Sequence, residues 1–287
     1  MSRRKTFFDE SLATNMLTYN QYFMQLTEIA ISRFKWNNLP STVDGRYIER
    51  TLFQNSAAVY FNDEYMGNLC LDVITQGNFN VYGYPIRRRA YSRYNNYQKE
   101  LTENDSVIIY NNYMRTNSIT QILNFSKRLY NLDRIIDVNA NAQKTPILLI
   151  GTEKQRLSLL NLYKEYDGNA PVIYADKNLD LNGIKCVQTN APYVCDKIYS
   201  LKANIWNEAL TYLGISNITI EKRERLISDE VMRNQGGTIA NRYSALKSRQ
   251  EAAEKINQMF NTNISVEFQE DYSDIVSENN IEVSYNE

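Results

Sequence analysis

The sequence predicts an α+β fold: long amphipathic helices framing a strand-rich stretch, with a small α/β unit inserted between two of the helices. Three observations carry that prediction. Apolar residues recur at spacings of three and four in several long stretches, the period at which one face of a helix is buried. Glycines at 67, 77 and 83 divide short β-branched and aromatic runs, the mark of antiparallel strands joined by turns. Between residues 143 and 190 the helical period breaks into short apolar runs of strand length.

Residues 11–36 read as the first helix, with Met16, Tyr19, Phe23, Leu26 and Ala30 on one stripe and Pro40 beyond its end. Strands are expected within residues 57–92, at 57–61 and 70–75, and again at 107–110. Residues 118–142 contain no Gly or Pro and set Ile119, Ile122, Leu129, Leu132 and Ile136 on one face. About 25 residues at ~1.5 Å rise make a rod of roughly 37 Å. The inserted unit follows, with a strand at 146–150, a short helix at 155–166 and a strand at 171–174. Pro192 opens a third long helix through residue 213, with Val194, Ile198, Leu201, Ile205, Ala209 and Tyr212 as its stripe and Gly214 as its stop. Residues 215–240 carry the charged run Glu221, Lys222, Arg223, Glu224, Arg225 and the turn Gly236-Gly237, which read as a mobile loop. A fourth helix is expected at 242–260 from Leu246, Ala253, Ile256 and Phe260. From Glu267 onward there are seven acidic residues and no basic one, an acidic tail expected to be exposed and partly disordered.

Composition narrows the function. At 287 residues and 43% hydrophobic content the chain can build a real core. No stretch approaches the ~18–20 consecutive apolar residues of a membrane span, and no apolar run follows Met1-Ser2-Arg3-Arg4-Lys5 as in a signal peptide. A soluble chain made in a cytoplasm and without a membrane partner is expected. Three cysteines, Cys70, Cys186 and Cys195, are an odd number without metal-type spacing and read as reduced small hydrophobes. Histidine is absent, which removes Ser-His-Asp and Cys-His sites, histidine bases and most transition-metal sites. No catalytic residue, metal ion or cofactor is expected. With 32 basic against 33 acidic residues no global positive field announces nucleic acid, so any DNA contact must be local. The 22 tyrosines lean towards assembly, because tyrosine has one apolar and one polar end.

The short motifs each have a plain structural reading. Residues 148–154 (Leu-Leu-Ile-Gly-Thr-Glu-Lys) look like the strand and first turn of a phosphate loop but lack its second glycine, which leaves a strand capped into a short helix. Carboxylates at Asp63-Glu64, Asp229-Glu230 and Glu270-Asp271-Asp274 could hold Mg²⁺, although such neighbours arise by chance among so many acids. Arg87-Arg88-Arg89 and Arg3-Arg4-Lys5 are basic runs of the kind that contact phosphates or line a solvated edge. Lys197 and Lys202, five apart on the third helix, project about 140° from one another, so at most one faces any given direction squarely.

Ala191-Pro192-Tyr193-Val194-Cys195-Asp196-Lys197, with Lys202-Ala203-Asn204 and Trp206-Asn207-Glu208, resembles the stem segment of upper collar (portal) proteins from small protein-primed podoviruses. Further blocks agree in the same order: residues 34–40 (Phe-Lys-Trp-Asn-Asn-Leu-Pro), 107–112, 141–146, 166–173, 246–249 and 254–257. The likeness covers residues 34–268. It implies a portal fold with a wing at 1–117, stem helices at 118–142 and 191–215, and a clip at 143–190. A tunnel loop at 216–240, a wing helix and strand at 241–268 and the acidic tail at 269–287 complete that division.

The resemblance further implies a homododecameric ring at the portal vertex of a virion, assembled in the host cytoplasm. Double-stranded DNA would be packaged inward through it by a separate ATPase and later ejected. Major capsid protein, scaffolding protein and lower collar or tail protein are the implied neighbours. Of two family lysine belts Lys197 matches one, while Gln188 stands at the other, with Lys185 three residues earlier. The tunnel loop would offer Lys222, Arg223, Arg225 and Arg233 to the duplex. A packaging RNA would contact a basic amino-terminal arm, of which this chain keeps Arg3, Arg4 and Lys5. Two other functions compete: a Mg²⁺-dependent DNA-processing enzyme built on the carboxylates, and a tail adaptor ring, which would lack two long helices flanking a clip-like insertion.

Overall fold

A computed structural model describes residues 3–142, 147–149, 184–186, 192–216 and 228–269. The chain divides into two compact units, one of Met1–Tyr130 with Ala203–Glu287 and one of Asn131–Lys202.

The first unit begins with α1 (Arg3–Ser32), β1 (Phe34–Asn37) and α2 (Gly45–Asn55), then five strands: β2 (Ala57–Asp63), β3 (Gly67–Phe79), β4 (Pro85–Tyr91), β5 (Gln98–Thr102) and β6 (Ser106–Tyr110). The strands form one antiparallel sheet in the order β5-β4-β3-β2-β6. Consecutive β5 and β6 therefore lie at opposite edges, yet only residues 103–105 join them, so the sheet curls enough to bring the end of β5 to the start of β6. Ser106 Oγ donates to Thr102 O at 2.6 Å across that seam, and the Arg88 guanidinium bridges Pro85 O and Ser106 O. Residues 85–91 explain the arginine run: on a strand, side chains alternate, so Arg88 turns inward and is buried while Arg87 is exposed. Asp63 orders the β2–β3 turn by accepting from the N–H groups of Tyr65 and Met66 and from the Tyr97 hydroxyl at 2.6 Å.

The core lies between the sheet, α2 and α5 (Ser228–Phe260), where Ile48, Leu52, Ala58, Tyr60, Ile109 and Ile256 are buried. Within it sits an ion pair. Arg249 donates to both carboxylate oxygens of Glu49 at 2.8 Å, to the carbonyls of Asn111 and Ala245, and to Asn111 Oδ1. Those bonds use all five guanidinium N–H donors, which is the condition under which a buried charge is tolerable. Trp36 Nε1 donates to the same Glu49. The final strand, β9 (Ser265–Phe268), pairs antiparallel with β1.

In the second unit β7 (Ile147–Leu149) pairs antiparallel with β8 (Ile184–Cys186). The strand expected at 146–150 is therefore present, β8 was not foreseen, and the helix at 155–166 and strand at 171–174 fall outside the described residues. The helices α3 (Ile119–Ala142) and α4 (Cys195–Leu213) each run from one unit into the other.

Four expectations need correction. The first helix stops at Ser32 rather than residue 36, because Phe34–Asn37 instead pair with a strand some 230 residues later. Helix α2 was not predicted. Its apolar face is completed by Glu49, which is buried only because Arg249 neutralises it. Residues 228–240, expected within a loop, belong to α5, and Gly236-Gly237 are helical rather than a turn. The α4 stripe also differs: Cys195, Ile205, Ala209 and Leu213 are buried while Leu201 is 47% exposed. Cys70 and Cys195 are free and buried, and burial pushes the Cys70 thiol pKa up, which makes it a poor nucleophile.

Candidate nucleic-acid interface

Helix α4 opens on Pro192, Tyr193 and Val194, and its start is tied to α3 within the second unit. Asn139 of α3 accepts from the Val194 N–H at 3.0 Å and donates to Pro192 O at 2.9 Å, while the Cys195 thiol approaches the same Asn139 oxygen. Asp196 in the first turn adds a carboxylate where the helix dipole favours one. The first turn is thereby fixed, and with it the direction of Lys197.

The two lysines of α4 have different environments. Lys202 Nζ lies 2.6 Å from Asp133 Oδ1, and both side chains are mostly covered. Its hydrocarbon stem fills a position on the covered stripe of α4, the habit of a long side chain that buries its stem and pairs its head. Lys197 is exposed and makes no ion pair or hydrogen bond with any described residue. Charge free to meet a polyanion therefore resides on Lys197.

The other predicted contacts are placed only in part. Arg233 falls in the second turn of α5, in the first unit, whereas Lys197 belongs to the second. Arg3, Arg4 and Lys5 form the first turn of α1. Lys222, Arg223, Arg225 and Gln188 lie outside the described residues, and Lys185 is in β8.

Around Lys197 the second unit exposes several large apolar side chains: Ile135 and Val138 on α3, and Tyr193, Tyr199 and Leu201 at or on α4, from 47 to 66% exposed. Tyr199 and Leu201, two apart on α4, project to nearly opposite sides of the helix, so this apolar surface is spread around α4 rather than gathered on one face. In the first unit α3 and α4 lie antiparallel, joined by Arg128 with Glu208 at 3.0 Å and by the Phe125 and Tyr212 rings. Close approach of α4 and α5 in that unit is set by Gly214, at φ +76, where an added Cβ would lie 2.7 Å from Arg242 Cα.

Of the carboxylates considered for metal binding, Asp63 is spent on its turn and on Tyr97, and no metal-binding group of three or more is found among the described residues. Hydrogen bonding to Tyr97 and to the turn N–H groups holds the Asp63 carboxyl well below the usual carboxylate range. Sequence reasoning missed the role of Arg88, a buried guanidinium with no carboxylate partner among the described residues. The period-two alternation of the arginine run could have pointed to it.

The fold is that of a phage portal protein. A chain of the portal and tail of native bacteriophage P68 matches across 100% of this chain and 99% of its own, at 16% identity and a TM-score of 0.54. A chain of the native gene transfer agent virion also matches, at 10% identity and TM-score 0.48, over 92% of this chain and 83% of that one. So does an HK97-family phage portal protein from Corynebacterium diphtheriae, at 9% identity and TM-score 0.43, over 89% and 93%. Residues 8–273 match the Phage Connector (GP10) family, and the chain belongs to that family. It is a structural, portal-type component of the phage virion that joins head to tail, not an enzyme.

Proposed function

We propose that this chain forms the dodecameric portal ring at one capsid vertex, the conduit through which double-stranded DNA enters during packaging and leaves at ejection. The observation that carries the DNA-facing part is the contrast on α4: Lys202 is neutralised by Asp133, and Lys197 stands exposed and unpaired. Each phosphate that a protein neutralises releases counterions and adds affinity, so a channel crowded with cations would hold DNA fast. One free lysine per subunit, repeated by symmetry, gives a thin belt that screens the duplex and still lets it slide. The exposed apolar residues of α3 and α4 supply surface for contacts between subunits.

In this reading residues 1–117 and 241–268 form the wing, 118–142 and 191–215 the stem, 143–190 the clip, and the tunnel segment 216–240, helical from Ser228, brings Lys222, Arg223, Arg225 and Arg233 to the bore. Capsid and scaffolding proteins meet the wing. Lower collar or tail protein and the packaging ATPase meet the clip. The short arm Arg3, Arg4 and Lys5 is the packaging-RNA contact, where one is used.

Electron micrographs of the purified protein are expected to show rings with an axial hole; a monodisperse monomer at high concentration rejects the ring. Lys197→Gln is expected to leave the rings intact while lowering DNA retention after packaging and flattening the salt dependence of duplex binding. Unchanged retention removes Lys197 from the DNA contact.

A further inference from the structure

A groove of about 580 Å³ in the first unit lies between α5 and the sheet. Three cations meet there. The Arg115 guanidinium is stacked 4.1 Å from the Tyr84 ring centroid and 4.9 Å from that of Tyr110, with Lys255 Nζ 5.9 Å from Tyr84. Arg88 lines the same groove, only 6% exposed.

These groups are under-used. Arg115 spends one N–H, on Gly83 O, of the five a guanidinium carries. Arg88 donates to two carbonyls, and its Nε is buried with no partner. Among the described residues no carboxylate pairs with any of the three cations, and the Tyr84 and Tyr110 hydroxyls have no hydrogen-bond partner. Of the acids on the groove wall, Glu251 is engaged by the Tyr113 hydroxyl at 3.0 Å, and only Glu103 remains. Burial depresses the Arg88 pKa; the charges of Glu103 and Asp105 oppose that shift from a distance, but neither carboxylate forms an ion pair with the guanidinium. The arrangement calls for an anion from elsewhere.

Which anion follows from shape and reach. Arg88 sits at depth, where the phosphates of a rigid duplex do not follow but a slender carboxylate side chain does. Val107, Ile108, Ala252 and Met259 add apolar wall, so the fitting partner is an extended peptide that interleaves acidic and apolar residues. Residues 270–287 have that composition, with Glu270, Asp271, Asp274, Glu278, Glu282 and Glu287 set among residues such as Ile275, Val276 and Ile281 and no base. Strand β9 passes along α5, from Ile264 at Asn257 to Phe268, whose ring centroid is 4.0 Å from the Arg242 guanidinium. From Arg242 to Lys255 is about 20 Å along a helix. The 18 residues from 270 to 287 span up to about 60 Å extended, enough to round the helix. We infer that the acidic segment 270–287 of this chain docks in the groove of Arg88, Arg115 and Lys255 by carboxylate pairing.

The test uses the full chain with the six acids of 270–287 changed to Asn or Gln, titrated into a fluorescein-labelled peptide of residues 270–287 and followed by anisotropy. Binding is expected. It should weaken about tenfold with Lys255→Gln and Arg115→Gln together, and again when ionic strength rises from about 0.05 M to about 0.5 M. The unaltered chain, whose own segment competes, should bind the labelled peptide more weakly. Lys255 is exposed, so Lys255→Gln alone preserves the fold and serves as a second variant should Arg115→Gln unfold. Equal binding of a peptide with Asn and Gln for its acids overturns the inference, as does indifference to both groove substitutions. Equal binding of a scrambled peptide of the same composition overturns the segment as the specific occupant.

Discussion

Arg249 and Glu49 are 200 residues apart and share one buried site, in which every donor of the guanidinium is matched. Removing one partner strands the other charge. Arg249→Ala is expected to cost about 3–5 kcal/mol in urea unfolding, whereas Arg249→Met combined with Glu49→Leu, which removes both charges, should cost far less. Asp63 gives a test by pH. Its folded-state pKa lies below that of an unfolded carboxyl, so its contribution is complete above about pH 4 and is lost as pH falls through the folded value. Thermal unfolding followed from about pH 7 down to about pH 2 should show an acid limb that is shallower in Asp63→Asn than in the parent. For the proposed DNA contact, resemblance pointed to Lys197, but its lack of an ion-pair partner among the described residues was not legible in the sequence. Nor was its contrast with Lys202, which is held by Asp133, a residue 69 positions away.

Among the elements, the end of α4 at Gly214 is tightly constrained. Gly214 combines a positive φ with the Arg242 backbone beneath it, and its carbonyl accepts from Arg242 Nε at 2.8 Å. Gly214→Ala is expected to destabilise by about 2–4 kcal/mol, measured by chemical denaturation, with the helix content of the folded state retained. Helices α3 and α4 were legible because one face of each is apolar at helical period: Ile122, Leu129 and Leu132 are buried as the spacing predicts. Helix α2 was not, since a short helix offers few repeats and its buried Glu49 reads as polar until Arg249 is seen. The extension of α5 through Gly236-Gly237 was missed for the opposite reason. Two glycines cost roughly 2 kcal/mol of helix propensity, yet neither adopts a left-handed φ and the buried Thr238 follows directly. Strands β1 and β9 could not be read as a pair, because the antiparallel partner of a local run is not encoded near it.

For the whole molecule, assembly is the property at stake, and the second unit exposes its apolar residues where a neighbour would be needed to cover them. Ile135→Asp together with Leu201→Asp is expected to leave the unfolding free energy of the isolated chain, measured in urea, within about 0.5 kcal/mol of the parent while abolishing rings in electron micrographs. Persistence of rings would place the subunit contact elsewhere. The family and its portal fold were legible from collinear blocks of residues, whereas composition, with near-zero net charge, pointed only to a folded protein lacking histidine chemistry. The curled sheet bears on the same question from another side. Residues 103–105 and the Thr102–Ser106 bond tie the end of β5 to the start of β6, which draws the two edges of the sheet together at that end and blunts it as a template for an identical strand. For a chain that meets copies of itself in a ring, a blunted edge matters, because strand-to-strand recruitment has no closing step and grows a fibre.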